Sequence, residues 1–269
     1  LVGDHHQLPA TVLSSQAESR GLGASLLARL AAAGCEVQML DMQYRMHPAI
    51  ASFPSHEFYA GRLLSGASTS ERPSPSWHPL LRRPVALVHC GGREKACGTS
   101  WQNLQEAACV ASLVQRILCS GLCPAEVGII TPYLGQVKAI QAELRRGHCG
   151  DDQVPTGIVS SVDAYQGQER RIVVISMVRS NAAGEVGFLR EWRRTNVALT
   201  RAKEQCVVVA NVPTLLAAEA TPLWRHWVRH YFGGGEEVPN TSAGTGGADL
   251  VQWTGVALAP MQRRSEVLA

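Results

Sequence analysis

Lysine is nearly absent from this chain: Lys95, Lys138 and Lys203 stand alone, and every other basic residue is arginine. Arginine is a planar, bidentate donor suited to phosphate, and a high-GC coding bias would produce the same skew, so both readings of the imbalance stay open. A strong excess of charge is missing too. The formal net charge of +3 is too mild to announce a nucleic-acid partner by itself. The eight cysteines form no Cys-x-x-Cys unit, so no zinc site is expected from them. Cys109, Cys119 and Cys206 fall inside apolar runs, where a reduced thiol behaves as a small hydrophobe; this usage favours nucleus or cytoplasm over a secreted setting. No stretch approaches the roughly 20 apolar residues of a membrane span, and the opening residues do not read as a charged-then-apolar leader, so no membrane partner is expected. There is no Gly-Lys dipeptide, hence no Gly-x-x-x-x-Gly-Lys-Ser/Thr loop to cradle phosphates, and no Asp-Glu pair to hold magnesium. No carboxylates cluster at metal-binding spacing, which removes the support for a nuclease.

What is present is enough apolar material, 45% of 269 residues, for one or two globular domains with a core. Leu1-Val-Gly-Asp4 reads as the tail of a buried strand, and a helix is expected over Ala24 to Ala33 and a strand over Val37 to Leu40. A helix over Pro48 to Tyr59 follows, then a Ser-, Pro- and Gly-rich loop from Ser65 to Pro84. Strands at Val85 to His89, Val127 to Ile130, Gly157 to Ser160, Ile172 to Met177 and Cys206 to Ala210 then alternate with helices. Those helices are Asn103 to Cys119, Gln136 to Arg145 and one near Asn196 to Lys203. The alternation predicts an α/β fold, a mostly parallel sheet with helices on both faces. Pro213 to Phe232 reads as a last amphipathic helix, and residues after Gly233 as a tail without periodicity.

Chemistry concentrates in five strings. Gly3-Asp-His-His-Gln7-Leu-Pro9 follows a strand end and offers a neutral amide able to sense a terminal phosphate, or a turn closed by Asp4 and Gln7. Gln43-Tyr44-Arg45-Met-His-Pro48 sets an exposed aromatic beside an arginine: a stack and a phosphate clamp, or a helix start. Thr131-Pro132-Tyr133 ends a strand, where hydroxyl and ring would project from the carboxyl edge toward a single-stranded nucleic acid; an ordinary strand-to-helix turn explains it equally. Ser160-Ser161-Val-Asp-Ala-Tyr-Gln166-Gly167-Gln-Glu169 places hydroxyls for a phosphate, a glycine for close backbone approach and a carboxylate for a ribose hydroxyl or for Arg170 or Arg171. In Arg193-Arg-Thr-Asn-Val-Ala-Leu-Thr-Arg201-Ala-Lys203, Arg201 is expected on the exposed side of a helix, able to neutralise charge on a transferring phosphoryl group.

Taken in order, these strings resemble the second half of a superfamily 1 helicase of the up-frameshift type. Gly3 to Leu13 and Phe53 to Leu64 are most similar to its senataxin branch. The resemblance implies a RecA-like P-loop NTPase fold and ATP-driven 5′ to 3′ movement on single-stranded RNA or DNA, or on an RNA–DNA hybrid. It implies that Gln7 senses the terminal phosphate, Tyr44 packs on adenine, and Arg45 and Arg201 are arginine fingers. Glu169 would lie near the ribose, Gln166 and Gly167 would couple nucleotide to nucleic acid, and Thr131, Pro132, Tyr133 and Ser161 would touch its backbone. Asn103 and Glu106 match the helix opening the second domain and read as structural. Residues 1–36 would be a remnant of a first RecA-like domain, 37–232 the second, and 233–269 a flexible tail. The loop for ATP and the ligands for Mg2+ would belong to an upstream half of the protein, without which the fragment is expected to be inactive. A non-catalytic pseudohelicase that binds nucleic acid or protein is the alternative.

Overall fold

The computed structural model describes residues 1–73, 75–146, 157–217, 222–233, 249–253 and 258–260. In chain order its elements begin with α1 (Ser15–Ser19), α2 (Leu26–Ala32), β1 (Met42–Gln43), α3 (Pro48–Tyr59), β2 (Leu64–Ser65), α4 (Ala67–Ser70) and β3 (Val85–His89). There follow β4 (Lys95–Cys97), β5 (Ser100–Gln102), α5 (Leu104–Cys119), β6 (Val127–Thr131), α6 (Leu134–Arg146), β7 (Val159–Ser161) and β8 (Arg170–Ser176). The chain continues through α7 (Trp192–Leu199), β9 (Ala202–Ala210), α8 (Val212–Ala217), α9 (Pro222–Phe232), β10 (Asp249–Trp253) and β11 (Leu258–Pro260).

The main sheet runs β11-β10-β3-β9-β8-β6-β7, and every pairing in it is parallel except β10 with β11. The period-two alternation of strand side chains divides its apolar residues between two cores. Val85, Leu87, Val173, Ile175 and Val208 face α3, α7, α8 and α9, while Ala86, Val88, Val174, Val207 and Val209 face α5 and α6. Helices therefore cover both faces, as the sequence predicts.

Local signals set the helix ends. His47 caps α3 by accepting from Ala49 N, Pro48 occupies its first turn, and Ala60 closes it in the left-handed region at φ 52°. The Asn103 side chain caps α5 by accepting from Glu106 N, and Gln136 on α6 exchanges hydrogen bonds with the Asn103 backbone.

Several expectations give way. Leu1 to Asp4 form no strand, and Leu1 and Val2 are 81% and 99% exposed because no strand among the described residues receives them. Val37 to Leu40 is likewise irregular, and the short strand lies later, at β1 paired with β2, which reaches only the first residue of the expected loop. The hairpin β4–β5 escapes sequence reading because its first arm is wholly exposed and carries no alternation. Within the expected last helix the described residues form α8 and α9, and residues 218–221 of that expectation lie outside the described residues. In the expected tail, β10 joins the sheet beside β3 and buries Val251. Cys119 is exposed, unlike Cys90, Cys109 and Cys206.

Candidate functional site

Two polar groups form at opposite edges of the parallel sheet. At the amino edge, Arg170 of β8 lies beside Ala202 of β9, and the residues just before these strands carry the charge. Arg201 is not on the exposed side of a helix. Glu191 starts α7 early by accepting from Arg193 N, Thr200 ends it, and Arg201 follows as a 98% buried link into β9 (2% exposed). Its guanidinium is held by Val197 O (3.0 Å), Thr200 Oγ1 (2.8 Å) and Gln7 Oε1 (3.4 Å). Gln7 is itself fixed by donating to Asp4 Oδ2 at 2.9 Å, and Tyr59 donates to the same oxygen at 2.7 Å.

Arg45 enters from the other side. Gln43 accepts from the Arg45 and Met46 backbone, so the residue is held at a bend, and its side chain pairs with Glu169 and reaches Thr200 O at 3.3 Å. Lys203 pairs with the second oxygen of Glu169 at 2.8 Å. Glu169 thus faces Lys203 and Arg45 rather than the adjacent arginines, because Arg171 is drawn to Glu126 and Glu204. Hydrogen bonds from Lys203 and Arg45 hold its carboxyl down at about 2. Burial and the Arg45 charge lower Arg201 to about 10, so it remains charged at neutral pH. Tyr44, beside Arg45, is 66% exposed, and a Cβ added to Gly66 would fall 2.5 Å from its ring. Gly167 turns the chain at φ 83° ahead of Glu169 with open space around it, and Gln166 donates to Leu8 O, on the Gln7 side.

Arg45 and Lys203 thus pair with one carboxylate and Arg201 lies near enough to feel the charges of Arg45 and Glu169, an excess of positive charge that fits a polyphosphate. The nucleotide expected here, ATP, suits that charge, the amide of Gln7 and the exposed ring of Tyr44. Among the described residues no group of three His, Cys, Asp or Glu could hold a metal ion.

The second group lies at the carboxyl edge, where Thr131 of β6 pairs with Ser161 of β7. Thr131 Oγ1 is buried with no partner among the described residues, and Ser161 Oγ accepts from Ala164 N at 3.3 Å. Tyr133 departs from expectation: instead of projecting, it is buried, its hydroxyl accepting from Phe188 N at 3.2 Å. The cause is Gly187, where a Cβ would lie 1.9 Å from that hydroxyl, so the loop closes directly onto the ring. Pro132 sits in the turn between β6 and α6.

Asn103 and Glu106 hold this edge together, in keeping with their structural reading. Glu106 Oε1 accepts from Ser176 Oγ (2.7 Å) and Val178 N (2.8 Å), while Oε2 has no partner among the described residues. The second bond fixes Val178 at φ 71°, a strained conformation for a β-branched residue. Burial pushes the Glu106 carboxyl up to about 8. The neutral folded acid binds a proton that the unfolded carboxyl, near 4.3, has released, so its stabilising contribution is complete below about 4.3 and falls as pH rises toward 8. Glu106→Gln is therefore expected to gain stability over the parent between pH 5 and 8, by up to about 1.4 kcal/mol per pH unit, measured by urea unfolding at both pH values. A pH-independent difference would mean that the carboxyl is already ionised in the core.

Asp4 closes the turn with Gln7 that the sequence offered, but sequence reasoning missed Tyr59, Asn196 and Lys203. Asn196 donates to His6 O and Tyr59 Oη at 2.8 and 3.0 Å, tying α7 to the Gln7 loop, and its Oδ1 is buried without a partner among the described residues. Asn196 and Lys203 stand in the arginine string and could have been found there. Nothing local marks Tyr59, which is 55 residues from Asp4 in the chain.

A family profile described as "AAA domain" matches residues 22–213. The "Regulator of nonsense transcripts 1 homolog" of Arabidopsis thaliana is 41% identical over 86% of this chain, which spans 19% of that protein. "ATP-dependent helicase NAM7" of Saccharomyces cerevisiae is 38% identical over 86% of the chain and 24% of its own length. "Probable helicase MAGATAMA 3" of Arabidopsis thaliana is 36% identical over 85% of the chain and 28% of its own length. The chain thus spans about a quarter or less of the first two relatives.

Proposed function

This chain belongs to the AAA domain family, with a RecA-like α/β fold and up-frameshift-type relatives, and we propose that it is the carboxyl-terminal motor half of an ATP-dependent helicase. The observation that carries this reading is the convergence of Gln7, Arg45, Arg201 and Lys203 at one edge, with Thr131, Tyr133 and Ser161 at the other. In this reading Gln7 senses the terminal phosphate of ATP, Arg45 and Arg201 neutralise charge on the transferring phosphoryl group, Tyr44 packs on the adenine and Glu169 lies by the ribose. The opposite edge takes the backbone of single-stranded RNA or DNA, and α7, bonded to the Gln7 loop and to Asp163, links the two.

An upstream RecA-like domain completes the site, supplying the phosphate-cradling loop and the Mg2+ ligands. Two features support such a partner: α1 and α2 bury no residue, and Leu13, Leu22 and Leu26 stand 97%, 70% and 53% exposed. Movement from 5′ to 3′, action on RNA–DNA hybrids, placement in the senataxin branch on the strength of residues 3–13 and 53–64, and work in nucleus or cytoplasm belong to the same proposal. ATP turnover by the full-length protein, stimulated by single strands and lost on substitution of Arg201, is the test. Turnover indifferent to Arg201 would end the finger assignment, and nucleic-acid binding without any turnover would favour a pseudohelicase.

A further inference from the structure

Phe188 is an apolar ring that the fold supports without burying. It sits in the single turn Gly187–Arg190 at the carboxyl edge and is 49% exposed, whereas its neighbours Val186 and Leu189 are 3% and 0% exposed. The ring is set firmly from behind. Its backbone N–H donates to Tyr133 Oη at 3.2 Å, the Tyr133 ring lies 5.4 Å away, and the Arg194 guanidinium stands 5.2 Å from its centroid. Arg194 is in turn anchored by Asp163 at 3.2 Å, two residues beyond Ser161. The ring is thus tied to both strings of the edge, Thr131 to Tyr133 and Ser161 to Asp163. Exposed Arg190 follows it and lines, with Arg225, an open cleft of about 860 Å³.

We propose that Phe188 is a base-stacking platform for single-stranded nucleic acid, with Arg190 holding a neighbouring phosphate. An aromatic face beside cations is the chemistry single strands require, because every base presents a π-face and every step a phosphate. A rigid ring with little rotamer freedom left to lose stacks at low entropic cost. The inference rests on the reading of the carboxyl edge as the nucleic-acid face and adds a contact that none of the five strings contains.

Fluorescence anisotropy of the full-length protein with a short oligouridylate and its deoxy counterpart tests it. Loss of one base–aromatic stack corresponds to roughly 5- to 150-fold in affinity. Phe188→Ala and Phe188→Leu are expected to weaken both ligands by about tenfold, Phe188→Trp to bind like the parent, and the salt dependence to stay unchanged because no phosphate contact is removed. Parent-like binding by the leucine or alanine variant would overturn the platform while leaving the face in place. Failure of tryptophan to restore binding would overturn it as well, reassigning Phe188 to packing on Tyr133. If the parent protein binds neither oligonucleotide, the face itself is wrong and the platform falls with it.

Discussion

Replacing Arg201 with alanine is expected to lower ATP turnover by about 10³-fold or more, the range in which arginine fingers act, while single-strand binding and folding persist. Arg201 is built for one orientation: Val197 O, Thr200 Oγ1 and Gln7 Oε1 fix its guanidinium at the mouth of β9. Such a cation stabilises developing charge without reorganising, which is where preorganised electrostatics exceeds simple binding. Folding should survive because the side chain is a desolvated charge crowded by Arg45, so its loss relieves one electrostatic cost as it removes these bonds. Lysine is not expected to rescue, since a single ammonium cannot span the same acceptors. Steady-state turnover and a thermal melt of both variants check the result; near-parent turnover in the alanine variant would rule out a catalytic role.

Trp227→Ala is expected to cost about 3–5 kcal/mol of folding stability. Trp227 is 1% exposed, at the centre of an aromatic group in which Trp224, Tyr231 and Phe232 lie 5.8, 5.4 and 5.8 Å away. Through Tyr231, which donates to Ala49 O at 2.9 Å, this group locks α9 onto α3, the helix that follows Arg45. Filling so large a hole would require both helices to move, which close-packed interiors resist. Urea unfolding measures the loss, and a value under about 1 kcal/mol would show that α9 is peripheral to the core.

Much of the fold was legible because buried parallel strands are unbroken apolar runs and covering helices have a 3.6-residue period. The bounds of α3 and β3 match the reading to the residue, since His47-Pro48 and Pro84 punctuate them. Legibility failed where local pattern and tertiary partner diverge. Val37 to Leu40 has strand-like residues but no strand to pair with among the described residues, and β10 pairs with β3 from a Gly-rich context that gives no local signal. The site divides in the same way. Its arginines stand in recognisable strings, but Arg201 is displaced from helix to strand entry because the caps at Glu191 and Thr200, four residues from Asn196, decide where α7 stops. Tyr133 is buried because a glycine 54 positions away lets a loop close on it. That Asp4 and Tyr59 meet is a fact of topology alone.

The measurement that bears most directly on the two-edge account is hydrogen exchange of the full-length protein with a non-hydrolysable ATP analogue and, separately, with a single-stranded oligonucleotide. The account predicts that nucleotide protects amides around Gln43 to Met46, Gly167 to Arg170 and Thr200 to Lys203, and that the oligonucleotide protects Thr131 to Gly135, Ser161 to Ala164 and Gly187 to Arg190. Protection of the Thr131 edge by nucleotide, or of the Arg201 edge by the oligonucleotide alone, would contradict it.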